Sequence, residues 1–247
     1  MFRSVMLIVA LFLLTPIVRA QVLHTADFEQ GGVDEQGLKL QSANDDAITR
    51  VDHPVRAGKY AAKTLLRVDD PKVHKGQRAE FSDSRRAIKM NTDYWYALSV
   101  FIPDDFRSRS DRHKNAVIFQ WHTQQGGPSP MLAIRIRKDH WLITTHAEGK
   151  WRVITELPLE KARWTDWVIK ANWSPKPTGG WTIWHNGKVV VNEQNIITDY
   201  PEAQGPYVKF GQYHSVDEHV PANTVYFDEF RIAGPDSTYA DVAPRDD

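Results

Sequence analysis

Polar and apolar side chains alternate with a period of two along most of the chain, and this constrains the fold more than any other feature of the sequence. The alternating segments fall at 61–68, 78–81, 94–102, 116–122, 132–137, 141–147, 167–173, 180–185, 188–192, 207–213 and 224–232, separated by Gly, Pro, Asn and Asp. Helical periodicity is scarce. The pattern predicts an all-β antiparallel sandwich. The sharpest local signal is Asn186-Gly187 between Trp181-Thr182-Ile183-Trp184-His185 and Lys188-Val189-Val190-Val191, because Asn-Gly accepts the positive φ angles of a type I′ turn.

The ends of the chain are set apart. Arg3, an uncharged apolar run over 5–14, the Thr15-Pro16 break and Val18-Arg19-Ala20 before Gln21 read as a secretory signal. The expected organisation is a signal peptide over 1–20 and one domain over 21–247, exported to the periplasm or beyond, with no membrane span after cleavage. Sandwiches of roughly 200–250 residues are ordinary single domains. The polar tail over 236–247 is expected to fray.

Composition removes several functions. The chain has no cysteine, which excludes disulfide scaffolds, zinc fingers, iron–sulfur sites and thiol nucleophiles. Its 31 basic side chains balance 31 acidic ones, so no overall field marks it for nucleic acid or an anionic membrane. A monomer is expected. Most of the nine tryptophans are expected to fill the space between the sheets.

Three strands place chemistry on one face, since residues two apart on a strand point the same way. Arg78, Glu80 and Ser82 share a face, with Ala79 and Phe81 opposite. Gln120 and His122 do the same against Val117, Phe119 and Trp121, and Tyr207, Lys209 and Tyr213 against Val208 and Phe210. If the strands are neighbours, these side chains converge, and 132–137 adds Arg135 and Arg137.

Arg78-Ala79-Glu80, Gln120-Trp121-His122 and Tyr207-Val208-Lys209-Phe210-Gly211-Gln212-Tyr213, in that order, resemble the jelly-roll polysaccharide lyases, among them alginate lyases, glucuronan lyase and heparin lyase I. The 184–188 hairpin and Val225-Tyr226-Phe227-Asp228-Glu229-Phe230 look most like the heparin lyase I and glucuronan lyase branch. The resemblance implies a β-jelly-roll, concanavalin-like, with a concave substrate groove, and makes 21–247 a single polysaccharide lyase domain. Alginate lyases usually carry a second arginine where this chain has Ser82; Arg85 and Arg86 are the nearest cations in sequence.

The implied reaction is β-elimination on a uronic-acid polysaccharide, glucuronan-, alginate- or heparin-like, leaving a 4,5-unsaturated uronate end. The C5 proton lies beside a carboxylate, so that group must be neutralised before the proton leaves; Arg78 and Gln120 are the residues for this, each donor being worth roughly 2.7–4 kcal/mol. His122 is a candidate base, and Tyr213 the acid that protonates the departing O4; alternatively Tyr213 performs both transfers as a phenolate, with His122 assisting neutralisation. Lys209, Glu80, Arg135, Arg137 and Tyr207 are expected to bind the anionic polysaccharide. The scheme needs no cofactor. A structural Ca2+ near Asp27, Glu29 and Asp228 is a further expectation, with no ligands assigned.

Two other functions fit the same fold. A non-catalytic carbohydrate-binding sandwich would not need the Gln-His and Lys-Tyr pairs, whereas a glycoside hydrolase needs two opposed carboxyl groups. The Glu-x-Asp-x-Glu spacing that supplies them from one strand face is absent.

Overall fold

The computed structural model describes residues 21–86, 88–108, 115–124, 130–201, 204–214, 216–217 and 219–245; the expected signal over 1–20 lies outside them. In chain order the strands are β1 (Val22–Ala26), β2 (Lys39–Ser42), β3 (Ile48–Val51), β4 (Ala61–Arg67), β5 (Arg78–Ser82), β6 (Asp93–Phe101), β7 (Ala116–His122) and β8 (Leu132–Arg137). They continue with β9 (His140–Thr145), β10 (Arg152–Pro158), β11 (Trp164–Asn172), β12 (Gly179–His185), β13 (Lys188–Ile196), β14 (Tyr207–Tyr213) and β15 (Ala222–Ala233), then helix α1 (Tyr239–Val242).

Two antiparallel sheets pack as a jelly-roll sandwich. One runs β10-β9-β8-β7-β14-β5-β2, the other β13-β12-β11-β6-β15-β4-β3 with β1 added beside β15. Every strand expected from the alternation forms, with ends shifted by at most a few residues. The hairpin between β12 and β13 turns at Asn186 (φ 48°) and Gly187 (φ 77°), both left-handed as a type I′ turn requires. Strands β1, β2, β3 and β10 were not anticipated: β2 and β3 have only four residues each, too few to show a period.

The apolar halves of the alternating strands meet between the sheets. Phe210 of β14 lies 4.7 Å from Phe81 and 4.6 Å from Phe230, ring centroid to ring centroid, while Trp121 of β7 packs 5.2 Å from Tyr96 and 5.9 Å from Trp173. Each such ring contributes roughly 1.5–3 kcal/mol by burial. Trp121, Trp141, Trp167, Trp173 and Trp181 are fully buried, as the core reading requires, whereas Trp151 is 48% exposed. Trp95 and Trp184 instead stack on the outside of the second sheet, 5.7 Å apart, beneath Tyr239 of α1. The tail is therefore not frayed throughout: α1 buries Val242 there, under a capping box at Thr238.

Because Phe81, Phe119, Trp121 and Phe210 point inward, their strand neighbours must point out of the sandwich. That geometry sets the candidate site on the outer face of the seven-stranded sheet.

Candidate active site

The three motif strands are adjacent, in the order β7-β14-β5. Register places Lys209 between Gln120 and Ser82, Gly211 opposite Glu80, Tyr207 opposite His122, and Tyr213 opposite Arg78. The convergence expected from the sequence is thus built by sheet order, and strands from three distant parts of the chain supply it.

An outer face normally meets water, yet Arg78, Glu80, Gln120 and Lys209 are all buried. They are buried against one another. Glu80, 1% exposed, accepts from Arg78 at 3.0 Å through one carboxylate oxygen and from the Gln120 amide through the other. Burial pushes the Glu80 carboxyl above the usual carboxylate range, while Lys209, Arg78 and Gln120 pull it back. With Arg78 on one oxygen and Gln120 on the other, Glu80 orients both donors, a role that the sequence reading, which placed it on the polysaccharide, did not anticipate.

Arg78 also donates to the His74 carbonyl at 3.2 Å and stands 4.1 Å over the Tyr213 ring. A Cβ on Gly76 would lie 2.2 Å from Cε2 of the same ring, so only glycine permits this approach. Gly76 closes a tight turn with reciprocal main-chain bonds to Val73, and its two central residues, His74 and Lys75, are left-handed. This turn walls one end of the site.

His122 is half-buried, with its ring 5.6 Å from that of Tyr207. Its Nδ1 lies 3.1 Å from the Thr123 carbonyl oxygen. A carbonyl only accepts, so Nδ1 carries the proton and the free lone pair is on Nε2. Burial, reinforced by the charges of Lys209 and Arg78, holds the imidazole below its ordinary value, which keeps it neutral near pH 7.

Lys209 donates to Gln41 at 3.0 Å and lies 5.5 Å from the Tyr207 ring centroid, and burial lowers its ammonium. Burial likewise raises the Tyr207 hydroxyl. Gln41 sits on β2 opposite Glu80 and was missed by sequence reasoning; only the short alternation Lys39-Leu40-Gln41-Ser42 could have signalled it. Arg135 donates to Thr144 at 3.0 Å, is pushed down to about 10 by burial, and feels Tyr213. Arg137 lies further along β8 and is spent on Glu156 at 3.2 Å, because β10 runs within reach of it; it is not part of the converged group. Arg86 pairs with Asp83 at 2.7 Å.

The carboxylates considered for calcium have other partners. Glu29 accepts from the main-chain amides of Lys59 and Tyr60, Asp228 from those of Arg56, Ala57 and Glu229, and Asp27 from that of Glu29. Among the described residues no three His, Asp or Glu side chains are grouped to hold a metal ion.

Two antiparallel sheets with a charged, hydrogen-bonded floor on one outer face define the protein as a jelly-roll sandwich with its candidate site on that face. A family model described as polysaccharide lyase matches residues 23–231, and the chain belongs to that family: it is a carbon–oxygen lyase acting on polysaccharides. No curated protein matches by sequence. Among solved structures, the endo-β-1,4-glucuronan lyase from the fungus Trichoderma reesei is similar at a TM-score of 0.70 and 18% identity, covering 92% of this chain and 98% of that one. Family 7 alginate lyase A1-II′ in complex with substrate gives 0.60 and 9%, covering 81% and 93%. Alginate lyase PA1167 from Pseudomonas aeruginosa gives 0.55 and 15%, covering 80% and 97%. At these identities the likeness is one of fold.

Proposed function

We propose that the protein cleaves a uronic-acid-containing polysaccharide by β-elimination. The observation that carries this reading is the Arg78–Glu80–Gln120 bridge set beside a neutral His122 and the Tyr213 hydroxyl. Arg78 and Gln120, fixed by the buried carboxylate between them, grip the substrate carboxylate and take up the charge that develops when C5 is deprotonated. His122 Nε2 accepts the C5 proton. The C4–O bond breaks, a C4=C5 double bond forms, and Tyr213 donates its hydroxyl proton to the departing oxygen. Solvent then returns the proton from His122 to Tyr213. Lys209 and Arg135 add positive charge along the same face, where a polyanion would lie.

Export through the 1–20 segment belongs to the same reading, and N-terminal sequencing of the mature protein checks it: Gln21 is the expected first residue. Among the described residues no helix is long and apolar enough to cross a membrane.

The test is to incubate the protein with glucuronan, alginate, heparin and hyaluronan and to follow the ultraviolet absorbance of the C4=C5 bond. Absorbance growing with new chain ends is expected on at least one of them. New reducing ends without absorbance identify a hydrolase, and binding with neither product identifies a non-catalytic sandwich; either result overturns the proposal.

A further inference from the structure

Strand β2 brings a lysine to this face that no motif announces. Lys39 stands directly opposite Ser82 of β5, and Ser82 stands directly opposite Lys209 of β14 on its other side. Residues paired directly across antiparallel strands share a face, with Cβ atoms about 4.5–5.5 Å apart. A small residue is therefore flanked by two lysines in one row across three strands.

Two features of this row are unexplained by the fold. Ser82 is 1% exposed and its Oγ has no hydrogen-bond partner, an unfavourable arrangement for a buried hydroxyl. The Nε of Arg78, two residues away on the same face, is buried without a partner as well. Each is a donor. The charges lean the same way: on β2, β5 and β14 this face carries Lys39, Arg78 and Lys209 against the single carboxylate of Glu80, which is already spent on Arg78 and Gln120. Gln41, beside Lys39 on β2, fixes Lys209 at 3.0 Å, whereas Lys39 itself is exposed at the sheet edge and free to swing over the row.

We propose that Lys39, Ser82 and Lys209 form a second carboxylate subsite, one strand beyond the Arg78–Gln120 pair, which takes the acid group of a neighbouring uronate in the bound polymer. The inference deepens the proposed function and rests on it for the nature of the ligand. It makes Lys39 a specificity-determining residue: a neutral sugar leaves the Lys39 charge unpaired and the Ser82 hydroxyl without a partner, whereas a uronate brings a negative charge to Lys39 beside the Gln41-held Lys209.

The test measures binding apart from turnover. In a Tyr213→Phe background, titration calorimetry with glucuronan oligomers is expected to show Lys39→Gln weakening Kd about tenfold, an effect of the size of one lost charged hydrogen bond. Lys39→Arg should restore affinity, and raised salt should shrink the difference. Equal affinity of Lys39→Gln and its parent at low salt overturns the subsite, as does an absence of binding to any uronate oligomer. Failure of the elimination reading is seen separately, in the absence of the C4=C5 product from the unsubstituted protein.

Discussion

The Gln120 amide reaches Glu80 across a whole intervening strand, and the residue of that strand opposite Glu80 is Gly211. Sheet order alone would leave these two side chains apart, with β14 between them. A Cβ on Gly211 would run into the β5 backbone at Ala79 and Glu80, so glycine lets β14 lie this close to β5. The Tyr-x-Lys-x-Gly-x-Tyr strand therefore does two things: Lys209 and Tyr213 offer functional groups, and Gly211 allows the close approach of β14 to β5, the strand that carries Glu80.

Glu80→Gln tests what that network does. The variant keeps the shape of the side chain but has one acceptor oxygen for Arg78 and Gln120, so the Gln120 amide must turn over or lose its partner. Turnover should fall by about 10²–10³, the cost of misdirecting one donor at developing charge, while the circular dichroism spectrum stays that of the parent. Near-parental rates would show that Glu80 does not orient the pair.

Gly211→Ala should act on the fold and the site together. The added Cβ would stand 2.3 Å from the Ala79 carbonyl oxygen and 2.6 Å from Glu80 Cα, at a φ of 139° that L-residues rarely adopt. Strain of this kind costs about 1–3 kcal/mol, and relief requires β5 and β14 to part. Urea denaturation should register at least that loss, with turnover falling beyond what the unfolded fraction explains.

The strands that carry the motifs were legible because each has five or more residues in strict alternation, one side bound for the core; Phe81, Phe119 and Phe210 betray the inward side and so fix the outward one. What stayed hidden depends on contacts between distant segments. Gln41 meets Lys209 from a four-residue strand at a separation of 168 residues, and nothing local marks it. Glu80 looks like any surface acid until Arg78 and Gln120 are seen on its two oxygens. Arg137 has the right face but the wrong neighbour: β10, which the alternation did not reveal, brings Glu156 to it.

The pH dependence follows from His122. Its protonation is disfavoured by burial and by Lys209 and Arg78, so in the folded protein it titrates below 6.5. The acid limb of kcat/KM should therefore lie below pH 6.5, with the rate rising as the imidazole loses its proton and levelling above. Stability shifts in the same direction: as pH falls from 6.5 toward the folded value, the unfolded chain binds more protons at this site than the folded one, so this contribution to stability is lost on acidification. His122→Ala should abolish most turnover and reduce the acid sensitivity of the melting temperature between pH 7 and 5. An acid limb above pH 7 in the parent would remove His122 as the base.

Tyr213 can be separated into its ring and its hydroxyl. The ring lies 4.1 Å from the Arg78 guanidinium, centroid to carbon, and close against the backbone at Gly76, so it is part of the packing. Tyr213→Phe keeps both contacts and removes only the proton donor; kcat should fall by about 10²–10⁴ with melting unchanged, the range for loss of a positioned acid or base. Gly76→Ala does the reverse. It leaves the hydroxyl in place but sets a methyl group where the ring lies, pushing Tyr213 off its position under Arg78 and costing both stability and rate. If the hydroxyl is the acid, chemical help to the leaving group should distinguish the two variants: substrates whose departing oxygen needs little protonation should recover rate with Tyr213→Phe, whereas Gly76→Ala, displaced in geometry, should stay slow on all of them. Equal recovery in both would mean that Tyr213 acts through its position alone.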